Sequence, residues 1–305
     1  MNEEIAMDNI IFKSKTVNDG ISVVIPFYKN KSWLKAALKS IDDQTLLPNE
    51  IIIVNDGSNE DLSSLSSKVK HLRIINQENK GAASARNCGI SNSNYRYIAF
   101  LDSDDYWHPQ KLEVQSQIMK KENAMWSFHG YNKFVEEIEI TDEQITDDYD
   151  MKMIFPGVTN CCNIGTPCVM VDRKVFYDSK LKFNTSLKYG EDACLWFMLA
   201  SLYPVAIIKG SFCFVRMHGN NAANNVLVQI TARKDLWNFL CNNNLNCQIR
   251  PITKAAYLLC KSFSHFLESN VIICASSSIK ETMAKILYIL PWLMFKIDFF
   301  FLKPW

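Results

Sequence analysis

Short, uninterrupted runs of β-branched and aliphatic residues, separated by segments with helical spacing, restrict most strongly how this chain can fold. Four such runs in its first third predict strands, at residues 21–25, 50–54, 72–75 and 97–101. Apolar residues at helical spacing predict helices between them, over residues 33–41, 62–69 and 81–90. Continuous apolar strands that alternate with helices predict an α/β fold, with a mostly parallel sheet covered by helices on both faces.

Polar turns follow three of these predicted strands. Pro26 lies after the first strand, Asp56 after the second, and Asp102 to Asp105 after the fourth. Ligands of open α/β sheets bind outside the carboxyl ends of the strands. We therefore expect the three turns to converge on one site.

Three carboxylates, those of Asp102, Asp104 and Asp105, lie within four residues and have no adjacent lysine or arginine. Such a cluster favours a positive partner, and hard oxygen ligands suit Mg²⁺ or Mn²⁺. A solvated turn that caps the next helix is the simpler interpretation of an isolated Asp-x-Asp. If the ligand is a nucleoside diphosphate, an ion held by Asp102 and Asp104 would bridge its phosphates.

Five further residues are candidates, each with a structural alternative. Asp56 is suited to accept hydrogen bonds from a base or ribose, or from its own loop. Arg86 can contact the same ligand or form a surface ion pair. Glu191 and Asp192 open a predicted helix, where a carboxylate can take a proton from a hydroxyl or simply cap the helix. His218 is a candidate for a metal or phosphate contact, or is structural.

The composition and the first residues argue against several classes of protein. A net charge of +1 argues against a nucleic-acid binder, and a content of 21% charged residues argues against a disordered chain. The sequence shows no secretory signal, and no window reaches the roughly 18 apolar residues of a membrane-spanning helix. The ten scattered cysteines, with no Cys-x-x-Cys, are interpreted as reduced thiols, and a cytoplasmic location is expected.

The rest of the chain is less regular. Further strands are predicted at residues 126–135, 167–171, 205–208 and 212–215, with a solvated acidic loop over residues 136–150. A helix is predicted from Gly190, and from residue 225 onward the spacing is helical. The expected organisation is an N-terminal extension (1–19), an α/β domain (20–224) and a helical C-terminal region (225–305).

The C-terminal region is basic and aromatic. Its last 75 residues carry nine lysines or arginines against four acidic residues, with apolar clusters at residues 286–295 and 299–302. This combination is typical of a helix that lies in the membrane interface. It predicts peripheral contact with the inner face of the plasma membrane; packing on the main domain or on another subunit is the alternative.

In their order and spacing, these motifs resemble those of the family 2 glycosyltransferases, a large inverting family. The matching segments are residues 23–28, 54–58, 79–87, 100–105, 190–192 and 216–218. The resemblance covers residues 20–220 and implies a GT-A fold, a Rossmann-like sheet flanked by helices, here with a helical C-terminal appendage.

The resemblance also implies a role for each candidate residue. Asp192 matches the catalytic base. Substrate-binding roles are implied for Pro26, Asp56, Arg86, Asp102 and Glu191, with Asp56 on the nucleotide base. Metal-binding roles, for Mn²⁺ or Mg²⁺, are implied for Asp104, Asp102 and His218.

The implied reaction moves one sugar from a nucleotide-diphosphate sugar, a UDP-sugar in the first instance, to a hydroxyl of a glycan or lipid-linked glycan. No processive Gln-x-x-Arg-Trp motif is present, so single transfer is expected in bacterial surface polysaccharide synthesis. One alternative is a nucleotidyltransferase that makes nucleotide sugars, although no glycine-rich loop follows the first strand. The other is a non-catalytic nucleotide-sugar binding protein, although Asp102, Asp104 and Asp192 are all present.

Overall fold

A computed structural model describes residues 18–135, 148–160, 164–218, 225–269 and 277–302. Its centre is a nine-stranded sheet with the order β3–β2–β1–β4–β8–β6–β9–β5, in which β7 also pairs with β9. The strands are β1 (Asn18–Phe27), β2 (Glu50–Asp56), β3 (Leu72–Gln77), β4 (Tyr95–Phe100), β5 (Tyr106–Trp107), β6 (Trp126–Phe134), β7 (Tyr149–Lys152), β8 (Met170–Asp172) and β9 (Val205–Arg216). The helices are α1 (Lys31–Asp42), α2 (Ala82–Asn92), α3 (Lys111–Glu122), α4 (Lys174–Asp178), α5 (Glu191–Leu202), α6 (Val226–Asn242), α7 (Pro251–Leu267) and α8 (Ser277–Leu302).

Strands β3, β2, β1 and β4 form a parallel block, as the sequence predicts. In β1, Val23 lies opposite Ile51 of β2 and Ala99 of β4. Successive residues of β1 enter two different cores, Val24 on one face of the sheet and Val23 and Ile25 on the other. Because both faces of this block are buried, its strand ends are the places where polar side chains can meet a ligand.

The other half of the sheet mixes the two directions. Strand β8 is antiparallel to both β4 and β6, whereas β6 and β9 run parallel. Strands β5 and β7 are antiparallel to β9. The predicted α/β class, with a central sheet flanked by helices, is confirmed.

The three C-terminal helices pack on the face of the sheet that α5 covers. Trp237 of α6 stacks on Tyr257 of α7 with ring centroids 5.8 Å apart, and Phe295 of α8 meets Tyr257 edge-on at 5.1 Å. An ion pair of 2.9 Å joins Arg250 to the buried Asp298 of α8. These aromatic residues share one core cluster with α5, so the helical region is continuous with that side of the core.

Three local predictions are wrong. Residues 62–69 form no helix, because this serine-rich segment makes side-chain bonds instead, such as that from Ser67 to Asp42. The strands predicted at 205–208 and 212–215 are one strand, β9, which continues through Gly210 opposite an irregularity in β6. In the predicted strand at 167–171, the first residues belong to a 3₁₀ turn, and the strand is limited to β8.

Some predictions fall outside the described residues. These include residues 1–17 of the N-terminal extension and residues 136–147 of the acidic loop. In the described ranges, every cysteine is a free thiol. None of the helices in those ranges is both long enough and apolar enough to cross a membrane.

Candidate active site

A cavity of about 590 Å³, the strand-end cavity, lies at the carboxyl ends of β1, β2 and β4. Six of the candidate residues identified in the sequence line it together: Pro26, Asp56, Arg86, Asp102, Asp104 and His218. They are distant in sequence, and they meet because parallel register brings the strand ends to one edge of the sheet. The predicted convergence of the polar turns is therefore found in the structure.

Arg86 connects the two acidic motifs of the chain. Its Nη2 donates to Asp102 Oδ1 at 2.7 Å, and its Nη1 donates to Glu191 Oε1 at 3.1 Å. The residue is 6% exposed, and its guanidinium lies 5.4 Å from the ring centroid of Phe183. Burial lowers the pKa of Arg86, but the charges of Asp102, Glu191 and Asp192 outweigh burial and raise it. Arg86 is thus a fixed cation between the motifs.

Asp104 contacts His218 at the wall of the strand-end cavity. Asp104 Oδ2 lies 3.1 Å from His218 Nε2, and the imidazole stacks on Trp33 with ring centroids 5.5 Å apart. Burial, followed by the neighbouring charge of Asp102, raises the pKa of the Asp104 carboxyl, against the opposing contribution of His218. A cation bound beside Asp104 would offset both effects.

Asp105 holds the turn at residues 102–105, which follows β4, in place. Its Oδ1 accepts a hydrogen bond of 2.9 Å from the backbone N–H of Arg216, at the end of β9. Its own N–H donates to the carbonyl of Asp102 at 3.1 Å. Burial, followed by the charges of Asp104 and Asp102, raises the pKa of Asp105 well above its usual range. Asp105 therefore ties this turn to the strand that leads to His218.

Asp56 supports a neighbouring loop and also faces the strand-end cavity. Its Oδ1 accepts from Gln77 Nε2 at 2.7 Å and from the N–H of Lys80 at 2.8 Å, while its Oδ2 accepts from the N–H of Gly81 at 2.9 Å. Gly81 has a φ of 86°, which glycine adopts most readily. A carboxylate has about four acceptor positions, so Asp56 keeps capacity for a ligand.

Asp192 lies in the first turn of α5 and lines a second cavity of about 450 Å³, the helix-end cavity. Its Oδ2 accepts a hydrogen bond of 3.1 Å from Thr166 Oγ1, and its Oδ1 accepts from the N–H of Ala193 at 2.7 Å. Glu191 lines the same cavity and reaches Arg86. Burial, followed by the charge of Asp192, raises the pKa of Glu191. The two cavities thus meet at the ion pair between Glu191 and Arg86.

Sequence reasoning missed three residues of this site. Thr166 lies in the 3₁₀ turn before β8 and reaches Asp192 only through the tertiary fold. Trp33 looked like a core position of α1, yet its ring stacks on His218. The Arg216 guanidinium lies 5.2 Å from the Trp33 ring centroid. Two signals pointed to Arg216: it directly follows a predicted apolar strand, and it lies in the matching segment 216–218.

No metal site is preassembled in the described residues, where no group of three His, Cys, Asp or Glu side chains is arranged to hold an ion. Asp102 is turned towards Arg86, and Asp104 towards His218. Mg²⁺ is usually held by only one or two carboxylates together with substrate phosphates. Two carboxylates and an imidazole beside an open cavity therefore fit a site that a phosphate ligand completes.

The fold is similar to that of S. aureus TarS. The crystal structure of TarS 1–349 in complex with UDP-GlcNAc matches with a TM-score of 0.59 and 15% sequence identity, covering 91% of this chain and 81% of that chain. At this identity the likeness concerns the fold, which is of the GT-A type.

Sequence relatives include an uncharacterized glycosyltransferase of Rickettsia bellii, 32% identical over 278 residues, which cover 88% of this chain. The chain spans 39% of the length of that relative and 35% of the length of two other Rickettsia glycosyltransferases. The Escherichia coli enzyme UDP-Glc:alpha-D-GlcNAc-diphosphoundecaprenol beta-1,3-glucosyltransferase WfaP is 35% identical over 188 residues, covering 59% of this chain and 70% of that protein.

The model of glycosyl transferase family 2 matches residues 22–179, just over half of the 305-residue chain. The matched range contains the strand-end cavity residues Pro26, Asp56, Arg86, Asp102 and Asp104. On this match and on the GT-A fold, the chain belongs to glycosyl transferase family 2.

Proposed function

We propose that this chain is an inverting glycosyltransferase that moves one sugar from a UDP-sugar to a hydroxyl of a glycan or lipid-linked glycan. The observation that carries the proposal is the bridge made by Arg86, which joins the acidic loop after β4 to the acidic start of α5. Inverting transfer needs a group that stabilises the leaving diphosphate and, across the sugar, a base for the acceptor. The bridge supports this arrangement, because it holds the two acidic motifs on either side of one guanidinium.

The strand-end cavity is the proposed donor site. Asp56 would accept hydrogen bonds from the nucleotide base, on the acceptor capacity that its loop leaves free. Pro26 forms the cavity wall at the end of β1. Arg86 would lend positive charge to the diphosphate, because its guanidinium lines the cavity while Asp102 and Glu191 fix its orientation.

Asp104, Asp102 and His218 are the proposed ligands of Mn²⁺ or Mg²⁺, a cofactor common among family 2 enzymes with this fold. When bound, such an ion would neutralise the charge that develops on the departing diphosphate. Neighbouring residues of the chain hold these three ligands in fixed positions. Asp105 ties the loop to β9, and Trp33 supports the imidazole of His218.

Asp192 is the proposed base. Thr166 and the N–H of Ala193 each occupy one of its oxygens, and each oxygen retains a lone pair for the acceptor hydroxyl. The proton would pass to Asp192 as the acceptor oxygen forms its bond to the anomeric carbon. The bond from that carbon to the diphosphate would break in the same displacement, which inverts the anomeric configuration.

The helix-end cavity is the proposed acceptor site. Besides Glu191 and Asp192 it contains Lys188 and Tyr189, whose ring centroid lies 5.5 Å from the Lys188 ammonium. An aromatic face suits a sugar ring, and a lysine suits a phosphate. A lipid-linked sugar diphosphate carries both groups, as does the substrate in the name of WfaP. The UDP-GlcNAc complex of TarS supports a UDP-sugar as donor.

The experiment that tests this function has two stages. A panel of nucleotide sugars would first be screened for Mn²⁺-dependent thermal stabilisation, with EDTA as the control. The stabilising donor would then be incubated with a GlcNAc-diphospholipid acceptor, and the anomeric configuration of the product determined by NMR. A product with the donor's own configuration contradicts inversion, and no transfer from any stabilising donor contradicts the acceptor class.

A further inference from the structure

Helix α8 presents an exposed apolar stripe. From Ile286 onward, six large apolar side chains share one side of the helix, at positions separated by three, one, three, four and three residues: Ile286, Ile289, Leu290, Leu293, Ile297 and Phe300. Their exposed fractions range from 42% at Leu293 to 67% at Phe300. The apolar stripe, as we call these six residues, is the longest run of exposed large apolar side chains on any helix in the described part of the chain.

The opposite side of α8 is part of the core. Ala284, Tyr288 and Phe295 are buried against α6 and α7. Arg233 of α6 donates from Nε to Tyr288 Oη at 2.7 Å, and its guanidinium lies 4.4 Å from the ring centroid of Phe295. One side of α8 therefore packs on the domain, as one of the two alternatives drawn from the sequence expects, while the apolar stripe remains exposed.

The charges of α8 identify the kind of surface that would cover the stripe. Lys280, Lys285 and Lys296 stand against a single exposed acid, Glu281, which pairs with Lys285 at 2.8 Å. On a helical projection Lys285 and Lys296 border the same edge of the apolar stripe, as does Trp292. Apolar residues bordered by lysine and tryptophan suit a lipid interface with anionic headgroups. A second copy of α8 would offer this basic edge only Glu281, which already pairs with Lys285.

Helix α6 links the stripe to the proposed acceptor site. Val228, Gln229 and Ala232 of α6 line the helix-end cavity beside Asp192. Gln229 Oε1 also accepts a hydrogen bond of 3.5 Å from Tyr288 Oη, on the inner side of α8. One helix thus separates the cavity from α8. A lipid surface beneath the stripe would lie near a lipid-linked acceptor.

We propose that the apolar stripe of α8 docks this chain on an anionic lipid surface at the inner face of the plasma membrane, with α8 lying in the interface. In this arrangement the apolar side chains of α8 enter the interface, and the helix does not cross the bilayer. Docking deepens the proposed function by naming where the acceptor is met, but it requires no catalysis. The two proposals can therefore fail separately.

Flotation of the full chain with vesicles tests the docking. Vesicles of phosphatidylglycerol and phosphatidylcholine are expected to carry the protein, and vesicles of phosphatidylcholine alone to carry much less. The double variant Ile286→Ser/Leu293→Ser should lower the vesicle affinity by about tenfold or more, because it removes two aliphatic side chains from the interface. The variant Lys285→Gln/Lys296→Gln should bind anionic vesicles more weakly and lose most of the salt dependence.

The matched control is Leu258→Ser/Phe266→Ser. It removes two side chains of α7 that are 46% and 45% exposed and lie outside the apolar stripe. This control should float like the unaltered protein, and so should Asp192→Asn. Equal flotation of the Ile286→Ser/Leu293→Ser variant overturns the proposal, as does failure of the unaltered protein to bind. If the unaltered protein forms a dimer that the Ile286→Ser/Leu293→Ser variant does not form, and neither protein binds vesicles, the stripe is an interface with a second copy instead.

Discussion

The site contains two acidic motifs, Asp102 with Asp104 and Glu191 with Asp192. Both contact Arg86, but they differ in the partner of their second carboxylate. In each motif one carboxylate forms an ion pair with Arg86, Asp102 in the first motif and Glu191 in the second. Each leaves its other carboxylate facing a cavity. Asp104 faces His218, whereas Asp192 faces the neutral hydroxyl of Thr166.

The difference matches the chemistry proposed for each motif. A carboxylate that holds a cation gains from a second ligand nearby, and His218 is such a ligand for Asp104. A carboxylate that receives a proton needs a fixed orientation and a free lone pair, and Thr166 fixes Asp192 without competing as a base. Arg86 compensates the charge of both motifs, so the remaining carboxylates are available for substrate.

The largest effect that separates the motifs is expected for Asp192→Asn. The amide keeps the size of the carboxylate but cannot take a proton, so the transfer rate should fall by about 10²- to 10⁴-fold. Donor affinity, which depends on the other motif, should stay unchanged. Initial rates and calorimetric titration with UDP measure the two quantities.

The control for this variant is Asp178→Asn, the same substitution at the exposed end of α4. It should change neither the transfer rate nor UDP affinity. Full transfer by Asp192→Asn would remove Asp192 from the role of base and leave the helix-end cavity without its proposed function.

Arg86→Met should break both motifs at once. Removing one partner from a buried ion pair leaves uncompensated charge, which typically costs about 3 to 5 kcal/mol in the free energy of unfolding. Because Asp102 and Glu191 both lose their cation, UDP affinity and transfer rate should fall together. Urea denaturation measures the first effect, and titration and rate assays measure the other two.

Arg73→Met is the matched control, because Arg73 pairs with the buried Glu50 at 2.8 Å on the far side of β2 from the site. This variant should lose less stability, since Arg73 is 40% exposed. It should also keep its UDP affinity. If Arg86→Met lowered stability alone, the bridge would be structural and the link between the motifs would not bear on function.

The sequence predicts the residues of the strand-end cavity better than those of the helix-end cavity, for a physical reason. Strands buried on both faces, such as β1 and β2, are recognisable as apolar runs, and parallel pairing brings Asp56 and Asp102 to one edge. The position of Asp192 depends instead on how α5 packs. Neither its contact with Thr166 nor the double contact of Arg86 has a local sequence signal.

The errors in the predicted fold also arise from tertiary contacts that have no local sequence signal. The serine-rich residues 62–69 place Leu62 and Val69 in the core without a helix, because spacing alone does not distinguish a helix from an irregular segment that is held by side-chain bonds. In β9, Gly210 suggests a turn from the sequence. Pairing with β6 carries the strand through it.

Asp104→Asn should affect only the motif of Asp102 and Asp104, which is the one proposed to bind the donor. An amide is a poorer ligand for a hard cation than a carboxylate, so Mn²⁺-dependent UDP affinity should fall at least roughly tenfold. Without metal, the variant and the unaltered protein should bind UDP equally, which is the internal control. Calorimetry with and without EDTA measures both, and an unchanged affinity in Mn²⁺ would count against Asp104 as a ligand.

The smallest effect is expected for Thr166→Val, which keeps the shape of the side chain and removes the hydroxyl that orients Asp192. A neutral hydrogen bond contributes about 1 kcal/mol, so kcat should fall about fivefold while UDP affinity stays unchanged. Thr159→Val is the matched control, because Thr159 is also buried and its hydroxyl donates to the carbonyl of Pro156, not to a site residue. Equal loss of kcat in both variants would mean that the loss reflects stability. A loss confined to Thr166→Val would show that Asp192 works better when it is held in place, unlike Asp104, whose partner His218 is a proposed ligand in its own right.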